Sequence, residues 1–290
     1  MVSIQSDGNL GQVLFASSQY KVIGVDPSEY PSIPDVESAA TMTIDSHELR
    51  EMIRKTGFAA SSEMVRYALT GQLLHVIPEK GGGMDVRMVT SDGKRLAYIR
   101  RKHGAKDGTA PQKEIKVLLP PKALNLIDRM FTEENEKVAL YIDETQVKVI
   151  TKRGMVFCRL IEGNFPDYET VIPKECELKV SLNPQHFVAA VRKAALMTNE
   201  KTRAVKLAFS SGRLVVSTRS QDVGEATSEM AVDYKGEEIQ IVFNPDYLID
   251  FARATDVESV DLHLKDKSSA GVFKAGKDYI YVVMPLAVAI

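Results

Sequence analysis

An internal repeat constrains this chain more than any other feature of its sequence. In each of two units a short strand leads into an amphipathic helix, and several strands, a second helix and further strands follow. Side chains of the first helix recur at a constant offset of 138, and those of the second helix at 124. Repeats of this length, each with its own helices and strands, indicate tandem domains instead of a solenoid of short units.

The first unit combines helical and strand periodicity. Ser46 and Gly57 bound a helix as N-cap and stop, with Leu49 and Ile53 on its buried face. A second helix begins at Pro121 and runs to about residue 131. Asp92-Gly93 predicts a hairpin turn. Strands are expected at residues 41–44, 64–77, 85–90, 95–100, 115–119 and 137–160, and a polar loop at 103–114.

The second unit repeats this plan. Asn183 and Asn244 each precede a proline, which predicts capped helices from Pro184 to about residue 197 and from Pro245 to about residue 254. Strands are expected at residues 178–182, 204–209, 213–218, 225–234, 239–243, 257–264 and 269–285. The expected fold class is α+β, with tandem domains at 39–173 and 174–290 that each pack two helices on antiparallel sheets.

Composition limits the class of protein. The chain has 290 residues, of which 44% are hydrophobic, and no apolar run reaches the length of a membrane span. The start lacks the pattern of a secretory signal, and two cysteines, Cys158 and Cys176, do not make a disulfide framework. We therefore expect a cytoplasmic protein. Because the net charge is −2, an argument for DNA binding has to rest on where the charges lie.

Enzyme chemistry finds little support in the sequence. The five histidines are scattered, without the spacing of metal ligands, and no phosphate-binding glycine loop is present. Ser91 to Lys94 fits S-x-x-K and residues 55–57 read Lys-Thr-Gly, a pair found in serine acyl-transfer enzymes of the penicillin-binding type. Their context is wrong, because Ser91 lies at a predicted hairpin turn and Lys-Thr-Gly precedes it at a helix end. We expect no catalytic residues, no metal and no cofactor.

Six segments in order resemble one family, the bacterial DNA sliding clamps that form the beta subunit of DNA polymerase III. Residues 65–71 resemble its VRYxLNG strand, residues 90–97 its ATDGHRLA turn and residues 161–168 its linker between the middle and last domains. Residues 198–203, residues 243–248 and the end at 281–286 follow in the family's order.

The resemblance implies a ring through which double-stranded DNA passes. Two three-domain subunits join head to tail, with helices toward the hole and sheets on the outer rim. Basic side chains on those helices contact phosphates without reading bases. The DNA-facing set is Arg50, Arg54, Lys55, Arg66, Tyr67, Arg192, Lys193, Lys201 and Arg203. The helix from Pro245 is expected to add little attraction, because Asp246 and Asp250 outweigh Arg253.

The resemblance also implies a peptide-binding pocket. Its partners are the clamp-binding peptides of the DNA polymerase III alpha subunit, the clamp loader delta subunit and other replication and repair polymerases. Lys94, Thr170 and Ala287 depart from the family's usual residues, which affects peptide specificity. The pocket set is Leu69, Ser91, Gly93, Lys94, Leu96, Pro166, Thr170, Val171, Val282, Met284, Pro285 and Leu286.

Residues 1–38 resemble only the last strands of the family's first domain, and we expect no helix there. Two explanations are open: the sequence is a fragment of a full-length clamp, or it is a short protein that does not close the usual ring. The first predicts a processivity factor that encircles DNA. The second predicts a non-encircling, clamp-like module that binds or competes for the same peptides.

Overall fold

The computed structural model describes residues 1–30, 39–131, 136–173, 178–199 and 203–288. It separates into two compact units, Met1–Glu37 and Ser38–Ile290. The first unit is an antiparallel sheet of three strands, β1 (Val2–Asp7), β2 (Leu10–Phe15) and β3 (Ser18–Ile23). One turn of 3-10 helix, Pro27–Glu29, follows the sheet, so the expectation that this segment holds no helix was wrong by a single turn.

The first repeat occupies the beginning of the second unit. Its helices are α1 (Ser46–Gly57), α2 (Pro121–Met130) and the short α3 (Tyr168–Val171). Its strands are β4 (Met42–Asp45), β5 (Gln72–Pro78), β6 (Met84–Ser91), β7 (Arg95–His103), β8 (Ile115–Leu119), β9 (Lys137–Ile142), β10 (Gln146–Thr151) and β11 (Gly154–Arg159).

The second repeat has the same order of elements. Its helices are α4 (Pro184–Ala195) and α5 (Pro245–Ala254). Its strands are β12 (Leu178–Leu182), β13 (Val205–Ser210), β14 (Arg213–Ser220), β15 (Gly224–Ala231), β16 (Ile239–Phe243), β17 (Val260–Leu264), β18 (Gly271–Ala275) and β19 (Tyr279–Val283).

One sheet joins the two repeats. Eight antiparallel strands run in the order β12-β17-β18-β19-β7-β6-β5-β8, and the pairing of β19 with β7 connects the second repeat to the first. Two four-stranded sheets, β11-β10-β9-β4 and β15-β14-β13-β16, complete the unit. Helices α1, α2, α4 and α5 pack their apolar faces on these sheets, which confirms the α+β class. The limits 39–173 and 174–290 stay a prediction.

Local signals in the sequence account for the starts of α4 and α5. The Asn183 side chain accepts hydrogen bonds from the backbone N–H groups of Gln185 and His186, and Asn244 accepts one from Asp246. The N-cap of α1 is Asp45, one residue before the predicted Ser46. No helix in the described part of the chain is long and apolar enough to cross a membrane.

The largest error concerns residues 64–70, which were expected to form a strand. Met64–Thr70 instead forms 3-10 turns with a kink at Arg66, and the strand starts only at Gln72. Thr70 Oγ1 donates to the carbonyl of Tyr67 at 2.7 Å, a local bond that an extended strand does not make. Val65, Tyr67 and Leu69 would share one face of a strand, but only Leu69 is buried and the other two are exposed.

Candidate functional site

A cavity of about 500 Å3 lies where β7 pairs with β19, next to the linker that leads from β11 to β12. We call it the first cavity. It brings together side chains from the 3-10 turns, the hairpin between β6 and β7, the linker and the end of β19. Nine of the twelve predicted pocket residues line it: Leu69, Ser91, Gly93, Lys94, Leu96, Pro166, Val171, Val282 and Met284.

The inner wall of the first cavity is rigid and apolar. Leu96 and Val282 lie directly opposite each other in the β7–β19 pair, and both are buried. They belong to a small apolar core with Val89, Tyr98 and Tyr168. Interiors of this kind are closely packed, so the wall keeps its shape when a ligand enters or leaves.

The outer wall exposes apolar groups to water. Met284 and Val171 are each 45% exposed, although both are large hydrophobic residues. The backbone N–H of Met284 donates to the carbonyl of Lys94 at 2.8 Å, which fixes the start of the terminal segment at the mouth of the cavity. Exposed apolar side chains around a concave surface can be buried by an apolar ligand, and a methionine adapts its shape to different ligands.

The hairpin between β6 and β7 forms one edge of the cavity. Ser91 Oγ donates to the carbonyl of Arg95 at 2.8 Å and accepts from the N–H of Gly93 at 3.1 Å. Gly93 has φ +86°, and a Cβ there would lie 2.3 Å from Arg66 Nη1. The Ser91 hydroxyl thus serves the turn, and Lys55 and Thr56 lie in α1, which argues against the serine acyl-transfer hypothesis.

Arg95 connects the two repeats beneath the cavity. Its guanidinium donates to Asp92 Oδ2 at 3.0 Å, to Asp250 Oδ2 at 2.7 Å and to the carbonyl of Phe58 at 2.9 Å. The same group lies 4.4 Å from the centre of the Tyr247 ring, within cation–π range. Since Asp250 and Tyr247 belong to α5, this one side chain joins the hairpin of the first repeat to a helix of the second.

Tyr168 attaches the linker to the eight-stranded sheet. Its hydroxyl is hydrogen-bonded to His75 Nδ1 at 2.7 Å and accepts from Arg87 Nη1 at 3.0 Å. Its ring packs against Tyr98 with 5.7 Å between the centroids. Burial, which outweighs the hydrogen bond to Glu114, lowers the pKa of His75 from its ordinary value. The neutral imidazole is therefore the form that the folded chain prefers.

This preference predicts a pH dependence of stability. Because the pKa of His75 is lower in the folded chain, its contribution is present above the ordinary pKa, about 6.5, and is lost as the pH falls below it. We expect the free energy of unfolding to fall more steeply from pH 7 to pH 5 in the native chain than in a His75→Gln variant. Urea titrations at each pH measure this, and equal slopes would contradict the assignment.

Three predicted pocket residues lie outside the first cavity. Thr170 Oγ1 donates to the carbonyl of Asp167 at 2.8 Å and stabilises the turn at α3. The N–H of Leu286 donates to the carbonyl of Val242 in β16, which pairs the terminal segment with that strand. Pro285 lies between Met284 and Leu286 and is not among the lining residues.

Other lining residues were missed or given another role. Arg66 and Tyr67, predicted to face DNA, line the first cavity, and their assignment to DNA stays a prediction. The sequence signal for the missed residues was proximity, because each lies within two positions of a predicted pocket residue in the segments that resemble the family. They are Ala68, Arg95, Asn164, Phe165 and Tyr168.

The basic residues of α1 form hydrogen bonds and ion pairs with other residues of the chain. Lys55 is only 8% exposed, and its ammonium donates to Glu51 at 2.7 Å and to Asp256 at 2.8 Å, so little of its charge is open to solvent and its assignment to DNA stays a prediction. Arg50 donates to two main-chain carbonyls in and after α2 and is half-buried. Arg54 remains 63% exposed, although it forms a two-bond ion pair with Asp128.

The basic residues of the second repeat are more open. Arg192 and Lys193 are exposed at the end of α4, and neither forms an ion pair with any residue that the structure describes. Arg203 pairs with Asp246 at 2.5 Å. Asp250 is neutralised by Arg95, so the two acidic groups of α5 repel DNA less than its sequence alone indicated. Lys201 lies outside the described residues.

Comparisons with known proteins match both repeats. The family model for the central domain of the DNA polymerase III beta subunit matches residues 43–167, and the model for its C-terminal domain matches residues 169–287. The beta sliding clamp of Chlamydia muridarum is 31% identical over 281 residues, which cover 97% of this chain and 74% of that protein. That of Pseudomonas aeruginosa is 31% identical over 272 residues, or 93% and 71%.

Solved structures give the same result. A crystal structure of the DNA polymerase III subunit beta from Pseudomonas aeruginosa has a TM-score of 0.89 and 28% identity, covering 98% of this chain and 77% of that one. A DNA polymerase sliding clamp from Bacillus subtilis, at 24% identity, shares the fold with a TM-score of 0.90. With both domain models matched in chain order, this chain belongs to the family of DNA polymerase III beta sliding clamps.

Proposed function

We propose that the first cavity docks short extended peptides from the DNA polymerase III alpha subunit, the clamp loader delta subunit and other replication and repair polymerases. The observation that carries this proposal is the convergence of nine predicted pocket residues on one apolar cavity. The chain itself supplies no catalytic step in this proposal; its role is to hold partners on DNA.

The cavity suits weak, exchangeable binding. Burying two large apolar side chains of a peptide contributes a few kcal/mol at about 25 cal/mol per Å2 of apolar surface. Ordering the peptide and losing its translational freedom offset much of that gain. The expected dissociation constant is therefore on the order of micromolar. Such affinity allows several partners to use one site in turn.

A fluorescent peptide with leucine and phenylalanine anchors tests the docking proposal. We expect saturable binding by fluorescence anisotropy, with displacement by the unlabelled peptide and no displacement by a peptide of the same composition in scrambled order. No binding at several hundred micromolar would contradict the proposal.

We further propose that the end of α4 contacts the phosphates of double-stranded DNA. Arg192 and Lys193 support this, because both are exposed and free of ion pairs among the residues described. Contacts to phosphates are independent of base sequence and exchange with counterions, which suits a protein that slides.

Removing these two charges has a predictable signature. In Arg192→Ala with Lys193→Ala, the slope of log affinity against log salt becomes less steep by roughly 0.9 for each phosphate that the variant no longer neutralises. Arg213→Ala is the matched control, because Arg213 is exposed on β14 and paired with Glu229. Binding to a labelled duplex at several salt concentrations measures both. An unchanged slope in the double variant, or an equal change in the control, would contradict the assignment.

Encirclement needs a separate experiment. If the chain forms the head-to-tail homodimeric ring of its family, it is retained on a circular plasmid and released when a restriction enzyme cuts the circle. A chain that binds peptides without encircling DNA shows the same retention before and after cutting. Neither outcome bears on the docking proposal, which the peptide titration tests.

A further inference from the structure

A second cavity, of about 1080 Å3, adjoins the first along the linker. The two cavities share four lining residues: Asn164, Phe165, Pro166 and Tyr168. The other walls of the second cavity come from β5, β8, the turn between β9 and β10, and the end of β11. A chain that leaves the first cavity along the linker therefore enters the second.

One side of the second cavity is strand β8, whose edge is open at its start, at Lys116. Strand β8 is the last strand of the eight-stranded sheet, and among the strands that the structure describes it pairs only with β5. The N–H of Ile161 donates to the carbonyl of Leu118 at 2.9 Å, so the main-chain groups of Leu118 point away from β5 and the linker already covers the edge at this buried residue. Backbone groups alternate in direction along a strand, and those of Lys116 therefore point to the same side. Open edges of this kind accept an extended peptide as an additional strand.

The charges around the second cavity are mainly acidic. Five carboxylates, against Lys116 and Arg159, line it: Glu114, Glu144, Glu162, Asp167 and Glu169. Glu114 already pairs with Lys116 at 3.0 Å, and Glu169 with Arg87 at 2.5 Å. Glu144 and Glu162 are exposed and form no ion pair within the described ranges. These two carboxylates are the groups best placed to attract a basic ligand.

We propose that the second cavity binds a basic, extended segment that flanks the peptide in the first cavity and pairs with the start of β8 at Lys116. This inference rests on the proposed docking function and extends it to a second contact on the same partner. Backbone hydrogen bonds to the exposed Lys116 supply the alignment, and Glu144 and Glu162 supply the preference for Lys or Arg. Partners with a basic flank bind more tightly than partners with a neutral one.

The test compares three kinds of labelled peptide: the apolar core alone, the core with a Ser-Gly flank, and the core with a Lys-containing flank of equal length. Each flank is placed at the N-terminal end in one peptide and at the C-terminal end in another. At low salt, we expect the basic flank at one end to tighten binding about fivefold over the neutral flank. Glu144→Lys with Glu162→Lys removes this gain and leaves the affinity of the core unchanged. Glu237→Lys with Glu238→Lys, two exposed carboxylates before β16, is the matched control and keeps the gain.

A second measurement tests the strand edge. Methylating the backbone nitrogens of the basic flank removes its hydrogen-bond donors without removing its charge, and we expect most of the gain to disappear. Equal affinity for basic and neutral flanks, or a gain that survives Glu144→Lys with Glu162→Lys, would overturn the proposal. Failure of the core peptide itself to bind is a different result, because it contradicts the docking function on which this proposal rests.

Discussion

Replacing Met284 by alanine weakens binding of the core peptide roughly tenfold, and adding Leu96→Ala increases the loss to about a hundredfold. Each substitution removes apolar contact with the peptide worth about 1–2 kcal/mol, and every 1.4 kcal/mol is a factor of ten. Met284 is the cleaner site, because it is 45% exposed and its truncation leaves the core packed. Leu96 is buried, so its variant also loses stability. Anisotropy titrations measure the affinity, with circular dichroism to confirm that each variant folds.

Met197→Ala is the matched control for this experiment. Met197 is also partly exposed but follows α4 and does not line the first cavity. We expect its variant to bind the peptide as the native chain does. An equal loss in the Met197 and Met284 variants, or no loss in the double variant, would show that the peptide binds elsewhere.

Arg95→Ala is expected to lower the free energy of unfolding by roughly 3 kcal/mol, a large loss for a polar side chain. The variant leaves Asp92 and Asp250 without their cation and removes the packing of the guanidinium on Phe58 and Tyr247. Chemical denaturation measures the change in the free energy of unfolding. In contrast, Arg213→Ala breaks an exposed ion pair and should change it by less than about 1 kcal/mol.

A double-mutant cycle isolates the interaction between the two repeats. Once Arg95 is alanine, Asp250 no longer has this cation beside it, and Asp250→Ala should then cost much less than it does in the native chain. Additive losses would mean that Arg95 and Asp250 stabilise the fold independently, and that the connection between β7 and α5 lies in other interactions.

The sequence predicted those parts of the fold that depend on local signals. Asn183 and Asn244 cap their helices as expected, and Asp92-Gly93 turns the chain between β6 and β7. Such features depend on residues two to four positions apart, so they can be predicted from the sequence without knowledge of the fold. The expectation of a strand at residues 64–70 failed because the alternation of Val65, Tyr67 and Leu69 does not mark a buried face: only Leu69 is buried in the 3-10 turns.

The candidate site was predictable in its apolar part and less so in its charged part. The resemblance predicted a pocket from residues that are far apart in the sequence, and nine of them line the first cavity. The role of Lys55 could not be read from α1, because its partner Asp256 lies 201 residues away. Asp250 likewise looks like a source of repulsion toward DNA until its pairing with Arg95 is taken into account. The role of a charged residue depends on the charges near it in the fold, which can come from distant parts of the sequence.

The binding of a peptide in the first cavity is tested most directly at Met284 itself. Methyl groups of the 11 methionines can be labelled with carbon-13, and the Met284 signal identified from a Met284→Leu variant. On addition of the core peptide, we predict that the Met284 methyl signal shifts and saturates with the same dissociation constant that anisotropy gives, while the Met197 signal stays in place. A Met284 signal that does not move while the peptide binds would contradict docking in the first cavity.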